Sequence, residues 1–447
     1  MHDSGLYKRL MPLDLTEEFK EVVRLFDDGM IPIQYCALEK HFAVYRERRC
    51  HSGDYGPMLS ISIGGSNTKI MLAKMSGGVF KVIAFSASKN PMEPIGFHNF
   101  LDSMMKEVPL IREYIAGAKK VCVGVSVPMV IKNGVPFHVN KVGTINGLVA
   151  RNEEDLRMLP TVEDNIKSYV AKYNPEAELM CKCQSDGIVA HLGAVATGAL
   201  NSNDRSLLAV CGTGFATSDD KYYIIPTCVP YLQDSELYPL DETENGQFQY
   251  AVSGKGVYSV MRRAIGAASR NPGSAPGLHR AADYFQDARD SKLVFDLWSI
   301  SVCGAELCSE LKVIRDDIGE EAFRELVCIA ESIGNRSVNA IASCIVATLL
   351  YVGNPENDGN FHVYFEGGIA TDPFVLPKIK SAIGLLVSDS RLYQGMGKVQ
   401  PKLPAMDNLT DPVEPENCNV TKNSLKHIDY SVIGACALVI AEDMLRS

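Results

Sequence analysis

Basic runs are missing from this chain, and 44 Lys and Arg stand against 54 Asp and Glu for a formal charge of -10. No positive field is available to hold a polyanion, which disfavours nucleic acid and anionic membrane surfaces as main partners. An anionic ligand would need local capture. The opening MHDSGLYKRLMPLDLTEEF lacks the apolar core of a signal peptide, and the longest apolar stretch, Ala340 to Val352, is short for a membrane span. A soluble, cytoplasmic protein without a membrane span is the expectation. Among 13 scattered cysteines only Cys181 and Cys183 lie very close, with no second CxxC or His pair to complete a zinc site, so buried free thiols are expected and no protein-held metal is assigned. Neither GxxxxGK[ST] nor a helix-opening GxGxxG occurs, which removes the P-loop and Rossmann sites.

What is present fits ordinary globular usage: 447 residues, 46% apolar and 22% charged, enough for two domains or lobes. A first helix is expected after Thr16 as N-cap, with Glu17 and Glu18 near its N-terminus, Phe19, Val22, Val23 and Phe26 on one face, and Gly29 at its end. MLSISIGGSNTKIMLAKMSGGVFKVIAFSAS then holds three strand-like runs punctuated by Gly64-Gly65 and Gly77-Gly78, an antiparallel meander. A helix around Phe97 to Val108 and a valine-rich alternating strand over Lys119 to Val127 follow. From Ser206, SLLAVCGTGFATSDDKYYIIPT repeats the device of strand, glycine turn and strand, which suggests a duplicated architecture of two lobes facing a cleft. Helices are expected over Tyr250 to Ala268, Lys292 to Arg315, Glu320 to Gly334, Arg336 to Tyr351 and Ser431 to Leu445, with a strand and Gly367-Gly368 turn in HVYFEGGIA.

Glycine at a strand end costs conformational entropy unless its φ freedom or missing side chain is used. Each turn can be a plain hairpin. Alternatively Gly64, Gly65, Ser66 and Asn67, with Gly212, Thr213 and Gly214, offer backbone N–H groups and hydroxyls to phosphate oxygens. Between them, LMCKCQSDGIVAHLGA runs a strand into a helix and delivers Asp186 to the junction. An Asp there can be a cap, or it can take the proton of a substrate hydroxyl while glycine turns hold the transferring phosphoryl group.

ISIGGSNTK, VGVSVP, CQSDGIVA, VCGTG, AVSGK, RSVNAIASCIVA, VYFEGG and SVIGACALVIA occur in the order and approximate spacing of the hexokinase/glucokinase family, and the chain resembles that family over residues 13 to 445. The resemblance implies an α/β, two-lobed actin-like ATPase (ribonuclease H-like) fold. The small lobe would be residues 58–182 plus 433–447, and the large lobe 1–57 plus 183–432. It further implies ATP with Mg²⁺ and phosphoryl transfer to the 6-hydroxyl of a hexose, glucose above all, the first step of glycolysis. Asp186 matches the catalytic base. Lys141 resembles the lysine that contacts sugar and phosphate, and Ser126 the sugar-binding serine. Gly64, Gly65, Ser66, Asn67 and Lys69 resemble the first phosphate loop and Gly212, Thr213 and Gly214 the second. Gly367 and Gly434 fall near the adenosine site, and Lys255 and Arg336 on helices bordering the cleft.

Several positions depart from the family pattern. Ser62 stands where the family has the aspartate that helps to hold Mg²⁺, and Lys69 replaces an arginine, losing its bidentate fork. Ser185 replaces an asparagine and Asn140 a threonine, while Gln249 and Cys228 align with two sugar-binding glutamates, for which Glu236, Glu242 or Glu244 are substitutes from a shifted loop. Losing two charge-assisted bonds of about 1.5 to 3 kcal/mol each weakens hexose binding or changes the preferred sugar. The alternatives kept open are a weak or inactive sugar- or nucleotide-binding regulator and a kinase for another sugar, such as an amino sugar. Oligomeric state is not legible.

Overall fold

The computed structural model describes residues 14–47, 53–64, 67–91, 93–137, 145–150, 152–200, 205–211, 214–225, 249–270, 275–285, 291–304, 306–352, 361–369, 372–398, 400 and 430–446. By internal contact the chain divides into a sheet unit, Gln34–Leu208, Ser218–Tyr223 and Val413–Ser447, and a helix unit, Met1–Ile33, Ala209–Thr217 and Ile224–Pro412.

In chain order the early strands are β1 (Ile33–Tyr35), β2 (Asp54–Ile63), β3 (Asn67–Ser76), β4 (Val79–Lys89), β5 (Ile95–Gly96) and β6 (Lys120–Val127). Next come β7 (Val130–Lys132), β8 (Val135–Phe137), β9 (Ile145–Asn146) and β10 (Glu178–Ser185). The last are β11 (Arg205–Cys211), β12 (Phe215–Ser218), β13 (Tyr222–Ile224) and β14 (Phe361–Glu366). The main sheet of the sheet unit has the order β10-β6-β2-β3-β4. Its meander β2-β3-β4 is antiparallel, as expected, and β6 and β10 extend it in parallel to β2.

Alternation sorts this sheet's two faces. Leu59, Ile61 and Ile63 of β2 and Val121, Val123, Val125 and Val127 of β6 share one core with residues of the helices Phe97–Lys106, Pro109–Gly117 and Val162–Tyr173. Cys181 and Cys183 join that core, where burial pushes both thiols above their ordinary range. Ser60, Ser62, Gly124 and Ser126 fall on the opposite face by the two-residue period. There the helix Tyr430–Arg446 lies so close that a Cβ on Gly124 would stand 1.8 Å from the Ala435 carbonyl oxygen. Ser60 donates to the Val432 carbonyl at 2.5 Å, and Ser62 and Ser431 hydroxyls meet at 2.8 Å.

A second sheet has the order β1-β13-β12-β11-β14. The helix unit centres on one 33-residue helix, Glu320–Val352, where two helices parted near Asn335 were expected. Gly334 does not break it. A Cβ there would stand 2.3 Å from the Trp298 ring, so the glycine admits the indole of the helix Ser291–Cys303. By length and composition this helix could cross a membrane, but 83% of its apolar window is buried inside the protein, the mark of a core helix. Against it packs the helix Leu15–Asp27. The N-cap of that helix is Asp14 rather than Thr16, because the Asp14 carboxylate accepts from the Thr16 N–H at 2.9 Å.

Candidate functional site

Strands β2, β6 and β10 run parallel and end together, with Ser62 opposite Ser126 and Ser126 opposite Gln184. The C-terminal edge of parallel strands is where open α/β sheets place ligands. Three expected positions gather on this edge: Ser126, Ser185 and Asp186. Ser126 is fully buried, and its hydroxyl finds no hydrogen-bond partner among the described residues, a state that costs about 1 to 3 kcal/mol and suits a ligand contact. Ser185 differs. Also fully buried, it reaches the Met129 carbonyl at 2.6 Å and the Gln34 side-chain oxygen at 3.1 Å, so its hydroxyl is engaged within the protein.

Asp186 opens the helix Asp186–Ala196 directly after β10 and is half-buried. Ser185 is the N-cap, and Asp186 stands in the first turn, where the helix dipole favours a negative charge. Its Oδ1 accepts from the Gly187 N–H at 2.7 Å and from the Tyr223 phenol at 2.9 Å. Tyr223 belongs to β13 and was not singled out from the sequence, where YYI reads only as strand. Gly187 makes the approach possible, since a Cβ on it would stand 2.5 Å from the Tyr223 ring.

The first glycine turn joins β2 to β3. Gly64 donates its N–H to the Asn67 carbonyl at 2.8 Å, so this particular donor closes the hairpin. A Cβ on Gly64 would lie 2.8 Å from the same oxygen. Asn90, also unforeseen, braces the turn: its amide donates to the Gly64 carbonyl at 2.8 Å and its oxygen accepts from Thr68 at 2.7 Å. Asn67 is exposed, and Lys69 is half-buried opposite Ser62 on β3. Ser62, bonded to Ser431, brings no charge, so this position does not fit a protein-held Mg²⁺ ion.

In the helix unit, Ile369 donates to the Cys211 carbonyl at 3.0 Å, which sets the turn after β14 beside the end of β11. Gly367 there has φ +97°, a conformation glycine adopts without steric cost. Gly214, half-buried, lies just before β12. Gln249 begins the short helix Gln249–Val252, and Lys255 lies in the helix Gly254–Ser269. Arg336 is buried at mid-helix, where its charge partly opposes the burial that raises Glu18 to about 7. Gly434, in the sheet unit, is closed in by its own neighbours: a Cβ would stand 1.8 Å from the Val189 carbonyl oxygen. Gly65, Ser66, Asn140, Lys141, Gly212 and Thr213, with Cys228, Glu236, Glu242 and Glu244, lie outside the described residues.

No family model matches the sequence, and no curated protein matches it. Solved structures do. A hexokinase crystal structure is similar at 15% identity and TM-score 0.61, covering 98% of each chain. Hexokinase from Schistosoma mansoni, complexed with glucose, is similar at 12% identity and TM-score 0.60, covering 99% of this chain and 100% of that one. At such identities the likeness establishes the fold alone, the α/β fold that these two hexokinase structures share.

Proposed function

We propose that this protein is an ATP-dependent sugar kinase that phosphorylates a hexose, glucose first, at its 6-hydroxyl, with Mg-ATP as co-substrate. The observation that carries the reading is Asp186, a carboxylate at the end of a parallel strand, in the first turn of a helix and held by a phenol. In this reading Asp186 takes the hydroxyl proton as the sugar oxygen attacks the terminal phosphorus of ATP, and ADP departs. Ser126, whose hydroxyl has no partner among the described residues, meets the sugar. By the resemblance, Gly64, Gly65, Ser66, Asn67, Gly212, Thr213, Gly214 and Gly367 are assigned to the nucleotide, and Lys141 and Lys69 to its phosphate charge. Ser62 supplies no carboxylate to hold magnesium, which would have to come with the nucleotide.

The test is ADP release with Mg-ATP and a panel of hexoses and amino sugars, beside Asp186→Ala. Sugar-dependent release is expected from the wild type, reduced at least about 100-fold in the variant, the scale of general-base catalysis. Undiminished release from the variant would overturn the assignment of the base. A second reading, a sugar-binding regulator without kinase activity, is favoured by the neutral Ser62–Ser431 pair alone. A saturable thermal shift with sugar and no ADP release would select it.

A further inference from the structure

Tyr223 sits on an unusually well-fixed piece of backbone. Between β12 and β13 the chain turns at Asp219, whose carboxylate accepts from the Lys221 N–H at 2.9 Å and the Tyr222 N–H at 2.6 Å. Asp219 also donates its own N–H to the Tyr222 carbonyl at 3.1 Å, and the Lys221 carbonyl accepts from Cys36 at 2.8 Å. Just before the turn, Ser218 donates to the Gly187 carbonyl at 3.0 Å and ties β12 to the first turn of the Asp186 helix. Tyr223 itself is 3% exposed, and its ring lies over Gly187, where a methyl group would not fit. A buried phenol on a braced strand has few orientations open to it, and this one points its O–H at Asp186 Oδ1.

We propose that Tyr223 is the positioning residue for Asp186, its phenol fixing the carboxylate plane in the orientation from which the base takes a substrate proton, with Gly187 supplying the room. The inference rests on the sugar-kinase reading for its catalytic meaning. The phenol donates to the charged carboxylate, so it favours the ionised form of Asp186 and keeps the base competent at lower pH. Removing the donor therefore raises the pH at which the base becomes protonated, while the neighbouring structure keeps the ring.

The experiment compares wild type, Tyr223→Phe and Gly187→Ala by kcat/KM for the best sugar across about pH 5 to 9. Tyr223→Phe is expected to move the acid limb up by about one pH unit, the scale of one lost charge-assisted bond. At low pH it lowers kcat about tenfold, with KM for the sugar changing less. Gly187→Ala, which displaces the ring without removing the phenol, is expected to reproduce the shift. An unchanged acid limb in a folded Tyr223→Phe protein would overturn the proposal. Aspartate-labelled protein, with the Asp186 carboxyl carbon resonance assigned by its loss in Asp186→Asn, gives a readout free of activity. If the wild type transfers no phosphoryl group, the sugar-kinase reading fails. A carboxyl titration that is the same with and without the phenol then rejects the role of Tyr223, and a higher one in Tyr223→Phe upholds the electrostatic hold.

Discussion

Two long apolar helices, one in each unit, solve the same packing task with different tolerances. The helix Tyr430–Arg446 meets its neighbours backbone to backbone: Gly434 against the Val189 carbonyl, Gly193 against the Tyr430 carbonyl and Gly124 against the Ala435 carbonyl. The helix Glu320–Val352 meets a side chain, since Gly334 faces the Trp298 indole, itself edge-on to Phe374. A carbonyl held in a helix or strand cannot retreat, whereas a ring can tilt. Their polar neighbours differ as well. Ser60 and Ser62 find partners under the first helix, but both Glu18 carboxyl oxygens, fully buried beside the second, find no hydrogen bond among the described residues. The lesson is that equal burial hides unequal rigidity and unequal electrostatic cost.

The comparison breaks most readily at Gly434. Gly434→Ala is expected to cost more than about 4 kcal/mol and to abolish cooperative unfolding of the sheet unit in denaturant, because overpacking against backbone is not relieved by rotamer change. Gly334→Ala is the counterpart. Ring displacement costs about 1 to 3 kcal/mol, of which a better helix propensity returns about 1, so a lowered but intact transition is expected.

Glu18 sharpens the electrostatic half. Its carboxyl is raised from 4.5 to about 7, chiefly by burial, with Arg336 pulling the other way and Glu21 adding to the rise. A raised carboxyl favours the protonated folded state, so its contribution is complete below about pH 4.5 and disappears as the pH climbs through about 7. Glu18→Gln should flatten that slope and stabilise the protein by about 1 to 3 kcal/mol at alkaline pH. An unchanged slope in urea melts across that window would show that the carboxylate is not the cause. Ser60→Ala has the smallest effect: losing the bond to Val432 costs about 1 kcal/mol with no dependence on pH.

The sequence made the sheet unit legible where period and chemistry coincide. Val121, Val123, Val125 and Val127 alternate, and a buried strand followed; Asp186 is polar at a strand-to-helix junction, and it stands there. What stayed hidden depends on contacts with no local signal. Tyr223 meets Asp186 across 37 residues, and Asn90 reaches Gly64 across 26. Glycine misled in both directions. Gly334 reads as a helix break by propensity, yet it is a packing site inside a continuous helix. Gly64 reads first as a hairpin glycine and second as a phosphate donor, and its own N–H serves the hairpin. Capping slipped by two residues because Asp14 and Thr16 both suit the start of a helix, and only the geometry of the Asp14 side chain decides.

The arrangement of the main sheet also bears on how the chain is made. One face is covered by helices from residues 97–173, close in sequence to its strands, whereas the other waits for Tyr430–Arg446, with Ser60 and Val432 separated by 372 residues. Synthesis from the N-terminus therefore leaves a half-covered sheet until residues 430–446 have been made, and their docking closes a very long loop. The waiting face sets its serines and glycine among the buried methionines Met58, Met71 and Met180. An unfinished chain thus leaves those methionines uncovered during the interval when association with other nascent chains would do most harm.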